Sequence, residues 1–66
     1  MSCTVNGKAH ELEPDETVGR LLERLGLEGR YALVELNGQA LERDRYAATE
    51  LFEGDVVVVA RPVAGG

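Results

Sequence analysis

Hydrophobic and polar positions change period several times along this chain, and each change marks an element. Met1, Cys3 and Val5 alternate with Ser2 and Thr4, the period of two that a half-buried strand requires. Asn6-Gly7 follows and predicts a hairpin turn, because both residues tolerate positive φ. A second strand over Ala9 to Glu13 places His10 and Leu12 on one face and Glu11 and Glu13 on the other, and Pro14-Asp15 ends it. The period then lengthens. Val18, Leu21, Leu22 and Leu25 recur at helical spacing behind Thr17, whose hydroxyl suits an N-cap. Arg20, Glu23 and Arg24 take the wet side, and Glu16 with Arg20 is the expected four-residue ion pair. Asp15-Glu16 puts acid near the helix N-terminus, where the dipole favours it, and Gly26 suits a left-handed stop.

After a turn around Glu28-Gly29, Tyr31 to Leu36 reads as a third strand. Asn37-Gly38 is a second hairpin signal, and Gln39 to Leu41 is a short return strand. Arg43 to Thr49 mixes charges with Tyr46 and predicts an irregular segment or one helical turn. Glu53-Gly54-Asp55 is a tight turn feeding the most apolar run, Val56 to Arg61. The expected order is β-β-α-β-β-β. An α+β architecture satisfies it: a mixed sheet of about five strands, one main helix across a face, and the last strand inserted beside the first. Residues 1–62 form that one domain, and 63–66 form a flexible tail.

Composition removes several classes of function. Sixty-six residues allow one small domain with a modest core. A formal net charge of −5 denies a nucleic-acid binder its electrostatic driving force and favours a protein partner with a basic docking patch. The longest apolar run has strand length, far short of the ~20 residues that span a bilayer, and no stretch reads as a signal peptide. A single cysteine, Cys3, excludes an internal disulfide and suits a reducing cytoplasm, the expected compartment.

Few residues offer chemistry of their own. Cys3 falls on the inward face of its strand and reads as a small core residue. His10 has no second histidine or nearby cysteine to build a metal site, and Gly7-Lys8 lacks the flanking residues of a phosphate loop. Glu11 and Glu13 share a strand face, but so small a domain has no room for a catalytic pocket. The remaining candidate is the tail. Val63-Ala64-Gly65-Gly66 ends in residues without side chains, able to thread a narrow channel and present the Gly66 carboxylate to another protein's active site. A carboxylate is a weak electrophile until ATP converts it to an acyl-adenylate, which sulfur or an amine can attack.

Taken together, these residues resemble the ThiS family of sulfur carriers, within the ubiquitin-like β-grasp group that also holds the MoaD-type small subunit of molybdopterin synthase. The likeness runs the whole length. It comprises Val5-Asn6-Gly7, then Thr17-Val18, Leu21-Leu22 and Leu25, then Val34-Glu35-Leu36-Asn37-Gly38. Arg43, Tyr46, Leu51, Gly54-Asp55 and the Val63-Ala64-Gly65-Gly66 ending complete it. Tyr46 departs from the tryptophan often found there but keeps an aromatic filler.

The resemblance implies a co-substrate and not an enzyme. A ThiF-like activating enzyme would adenylate Gly66 with ATP and magnesium, no cofactor being bound by the carrier itself. A persulfide sulfur would replace AMP, and the resulting thiocarboxylate would deliver sulfur to an acceptor synthase, thiazole synthase of thiamine formation first among them. Gly65, Ala64 and Val63 would lie along the channel. Because β-grasp strands three and five lie side by side, Leu33, Val58 and Ala60 are expected to form an exposed docking patch, with Arg61 meeting acidic groups of the partner. No nucleic acid or membrane is among the expected partners. Two alternatives stand beside this reading: a carrier for another acceptor (molybdopterin, cysteine or a specialised metabolite), and a ubiquitin-like modifier that joins Gly66 to target lysines.

Overall fold

The structure, a computed structural model, describes residues 1–27 and 33–60. Strands β1 (Ser2–Val5) and β2 (Lys8–Glu11) form an antiparallel hairpin about Asn6-Gly7, where φ is 52° and 82°. Helix α1 (Val18–Arg24) follows, and strands β3 (Leu33–Leu36) and β4 (Gln39–Leu41) form a second hairpin about Asn37-Gly38, with φ 52° and 84°. The recurrence of Asn-Gly at both turns follows from the positive φ that each central position of such a turn demands. A 3₁₀ segment over Arg43–Ala48 leads to β5 (Val56–Ala60).

The sheet order is β2-β1-β5-β3-β4, with β5 parallel to β1 and antiparallel to β3. A parallel neighbour needs a long crossover, and the rest of the chain, helix included, supplies it. At the centre of the sheet, β5 has its inward Val57 fully buried between strands on both sides, while Val56 and Val58 face away from α1 and are exposed. The core lies between this sheet and α1. Cys3, Val5, Val34 and Val57 of the sheet form one buried cluster with Val18, Leu21 and Leu22 of the helix and with Leu12 and Leu51. Tyr46 packs against this cluster from the 3₁₀ segment, in the filler role expected of it.

Both ends of α1 are closed by local chemistry. Thr17 Oγ1 accepts from the Arg20 amide at 3.3 Å. At the far end Gly26 adopts φ 70°, its N–H donates to the Glu23 carbonyl at 3.1 Å, and the Leu27 N–H donates to the Leu22 carbonyl at 2.8 Å. These are the two bonds of a Schellman ending, and Leu27 packs on the core as such endings require.

Four details differ from the sequence reading. β2 ends at Glu11: Leu12 makes one last bond along the same register, donating to the Met1 carbonyl at 2.7 Å, and the chain then turns through Pro14 and Asp15, the latter at φ 57°. Met1 is 60% exposed, its amine drawn to Glu11 Oε2 at 2.9 Å. Glu16 is buried and pairs with Arg24, not Arg20, because it precedes the N-cap and so lies outside the helical repeat. For the same reason, no acid occupies the first turn of α1, while Arg24 reaches Glu16 from the exposed face assigned to it. Of the segments expected at Glu28-Gly29, Tyr31-Ala32, Arg61 and the 63–66 tail, all lie outside the described residues.

Candidate functional site

The candidate site is built on the sheet face that α1 leaves uncovered. Side chains alternate across a strand, so burying Val57 and Val34 sends Val56, Val58, Ala60, Leu33 and Glu35 to the other side. The β3–β5 register sets Leu33 opposite Ala60 and Glu35 opposite Val58. Leu33 and Val58 are then diagonal neighbours, within reach of one another across the pair. Leu33 is 59% exposed, Val58 41%, and Ala60 is exposed as well. The structure thus brings together the three described members of the expected patch.

Sequence reasoning left two neighbours out. Val56, 47% exposed, extends the apolar strip toward Thr4, its partner in the β1–β5 register. Alternation alone placed it on this face. Glu35 stands within the strip, opposite Val58 on one side and Ala40 on the other, so the patch has an acidic group among its apolar members. Arg61, Val63, Ala64, Gly65 and Gly66 follow Ala60 in sequence and lie outside the described residues.

The other titratable groups are occupied by the fold. Cys3 is 2% exposed on the core side of β1, and burial pushes its thiol above the ordinary value, which disfavours the nucleophilic thiolate. Glu16 is held below the ordinary carboxylate value by the guanidinium of Arg24. Among the described residues, no group of His, Cys, Asp and Glu is arranged to hold a metal, and no helix is long and apolar enough to cross a membrane. A surface depression of about 460 Å³ beside Glu13, Pro14, Glu16, Arg20, Glu23 and Arg24 is lined by charges, two of which are already bound to each other.

Two asparagines read from sequence only as turn formers do more than turn the chain. Asn6 Oδ1 accepts from the Val59 N–H at 2.8 Å while its Nδ2 donates to the Val59 carbonyl at 3.2 Å. Asn37 Oδ1 accepts from the Val56 N–H at 2.9 Å, and its own N–H donates to the Val56 carbonyl at 2.7 Å. Each fastens β5 from the turn of a neighbouring strand. No local sequence signal reports a bond across 53 residues.

A five-stranded mixed sheet with a parallel central pair and one helix across a single face defines a protein of the ubiquitin-like β-grasp class. The model of the ThiS family matches residues 3–66. The crystal structure of thiamine biosynthesis protein ThiS from Geobacter metallireducens is 39% identical and superposes with a TM-score of 0.82, covering 100% of both chains. A solution NMR structure of a thiamine biosynthesis protein from the same organism is also 39% identical, with a TM-score of 0.76, over 100% of this chain and 88% of that one. No curated protein matches this chain. The chain belongs to the ThiS family, whose members are small sulfur-carrier proteins.

Proposed function

We propose that this protein carries sulfur as a thiocarboxylate on Gly66 and delivers it to thiazole synthase in thiamine formation. The observation that carries the reading is the ThiS-family match, which continues through Gly65 and Gly66, together with a coextensive ThiS relative at 39% identity. In the first step a Gly66 carboxylate oxygen attacks the α-phosphorus of ATP on a ThiF-like activating enzyme. The acyl-phosphate bond forms, the α–β anhydride breaks, and magnesium pyrophosphate leaves. A persulfide's terminal sulfur then attacks the acyl carbon and expels AMP. A thiol cleaves the resulting acyl disulfide, taking up the other sulfur in a disulfide, and the thiocarboxylate remains.

The domain's part is to dock and position, converting sulfur delivery into a local event. Leu33, Val58 and Ala60, with Val56 beside them, provide the apolar contact for both partners. Arg61 meets acidic groups of the partner, and Val63 and Ala64 line the approach so that Gly65 and Gly66 enter without β-carbons. The protein is a co-substrate in this scheme. ATP and magnesium belong to the activating enzyme, and the cytoplasm supplies both.

Intact-mass measurement tests the reading. The protein is incubated with ATP, magnesium, a ThiF-like activating enzyme and a sulfur donor. The expected product has one oxygen replaced by sulfur, mapped to Gly66. Attachment to lysines of other proteins without that replacement would move the chain to the modifier class.

A further inference from the structure

The end of β5 carries backbone groups that, among the described residues, the Asn6 side chain satisfies. β1 pairs with β5 at Thr4–Val56 and Val5–Val57, and then turns away through Asn6-Gly7. β5 continues to Ala60 with β3 along its other edge, where Val34 faces Val59 and Leu33 faces Ala60. Beyond the Asn6 N–H, which donates to the Val57 carbonyl at 2.9 Å, β1 has no further backbone to offer. The Val59 N–H and carbonyl still point to that side. The Asn6 carboxamide takes both, accepting at 2.8 Å and donating at 3.2 Å, as a peptide group of one more strand residue would. Val59 is the penultimate residue of β5, and residues 61–66 follow directly.

We propose that Asn6 is a positioning residue for the tail. By gripping Val59 from the β1 side, its carboxamide fixes the end of β5 from which the chain continues into residues 61–66. The inference rests on the sulfur-carrier reading and deepens it. With the carboxamide gone, β3 is what holds β5 at this point among the described residues, and the strand end gains freedom to swing. The Leu33–Ala60 pairing survives, so docking through the outer face persists while productive entry of the tail becomes rarer.

The opposite end of β5 supplies an internal control. Asn37 holds Val56 with its side-chain Oδ1 and its backbone N–H, while its Nδ2 donates to Asp55 Oδ1 at 3.1 Å; it has the same φ of 52° and is likewise followed by glycine. Glycine at either position keeps the turn and removes the carboxamide. A purely structural role predicts like effects of Asn6→Gly and Asn37→Gly on adenylation. A positioning role predicts that only the change near the tail matters.

The experiment uses the full chain with its activating enzyme and follows ATP-dependent pyrophosphate release as carrier concentration is varied. Asn6→Gly is expected to lower kcat about tenfold while KM stays within about twofold, the signature of lost orientation at retained docking. Faster amide exchange at Val59 should accompany it. Asn37→Gly should speed exchange at Val56 and leave kcat near the wild-type value. Asn6→Asp keeps the acceptor for the Val59 N–H and should recover part of kcat, which also covers the case in which Asn6→Gly does not fold. Wild-type kcat in Asn6→Gly, or equal losses in Asn6→Gly and Asn37→Gly, overturns the inference. No pyrophosphate release with the wild type overturns the carrier reading itself, and the two failures are therefore distinct.

Discussion

Arg24 holds both carboxylate oxygens of Glu16, its Nη2 2.7 Å from Oε1 and its Nε 3.0 Å from Oε2. Glu16 is 3% exposed, so the carboxylate has surrendered most of its water. It is compensated by this fork and by the Glu13 amide, which donates to Oε1 at 2.8 Å. Arg24 Nη2 also donates to the Glu11 carbonyl at 2.8 Å, and the Glu16 carbonyl accepts from the Leu51 N–H at 2.8 Å. The ion pair thus ties the end of β2, the turn after it and the end of α1, and the Glu16 backbone adds the loop before β5.

Removing the cation leaves the buried anion with a single backbone donor. Arg24→Met is expected to cost about 1–3 kcal/mol. The lower part of that range applies, because the guanidinium side is 36% exposed and water can replace some of what is lost. Arg24→Lys restores the charge but not the planar fork, and should recover less than half. Urea denaturation at pH 7 measures both. A midpoint for Arg24→Met equal to wild type would show that the pair contributes nothing net.

The same pair makes stability depend on pH in a definite direction. Arg24 lowers the Glu16 value below the ordinary 4.5, so the folded protein binds this proton less readily than the unfolded chain. Its contribution is therefore complete above about 4.5 and is lost as pH falls through the lower folded value. Glu16→Gln should be less stable than wild type at pH 7, and its urea midpoint should fall less steeply below pH 4.5. Parallel pH profiles for the two proteins would assign the acid sensitivity elsewhere.

What was legible in the sequence was local, and what was not was tertiary. Asn6-Gly7, Thr17, Gly26 and Asn37-Gly38 announce themselves because each satisfies a backbone demand within a few residues. Alternation over residues 31–36 and 56–61 was enough to put Leu33, Val58 and Ala60 on one face, and the β3–β5 register sets Leu33 opposite Ala60. Glu16 was assigned to Arg20 by helical spacing, yet spacing has no force for a residue ahead of the N-cap. The reach of Asn6 to Val59 had no signal at all, because a carboxamide gripping a backbone across the sheet looks, in sequence, like any turn asparagine.

The chemistry proposed for Gly66 requires a C-terminal carboxylate at one distance from the domain. Deleting Gly66, or adding one alanine after it, should abolish thiocarboxylate formation. Neither change alters a residue of the described sheet or core, so the unfolding free energy should stay within about 0.5 kcal/mol of wild type. Intact mass after incubation with the activating enzyme and a sulfur donor reads the first effect, and denaturation reads the second. Sulfur transfer by either altered tail would remove the terminal carboxylate from the mechanism.

The proposed docking role can be tested apart from folding at Val58. Its side chain leaves the core to Val57 and Val59 and stands 41% exposed opposite Glu35. Val58→Asp therefore adds a second carboxylate to the middle of the apolar strip, across the strand pair from the first. Aspartate is a poor strand former and like charges directly opposite repel, so about 1 kcal/mol of stability should be lost, with the fold retained. The partner meets a stronger obstacle, since it must bury a new charge where it formerly met a methyl pair. Binding to the activating enzyme should weaken about tenfold or more, as at a central interface position. Titration calorimetry checks this against Glu42→Ala, an exposed change ahead of the 3₁₀ segment and away from this strip. Equal affinity for Val58→Asp and wild type would move the docking surface off this face, whereas weakening confined to Val58→Asp assigns the contact to the β3–β5 strip.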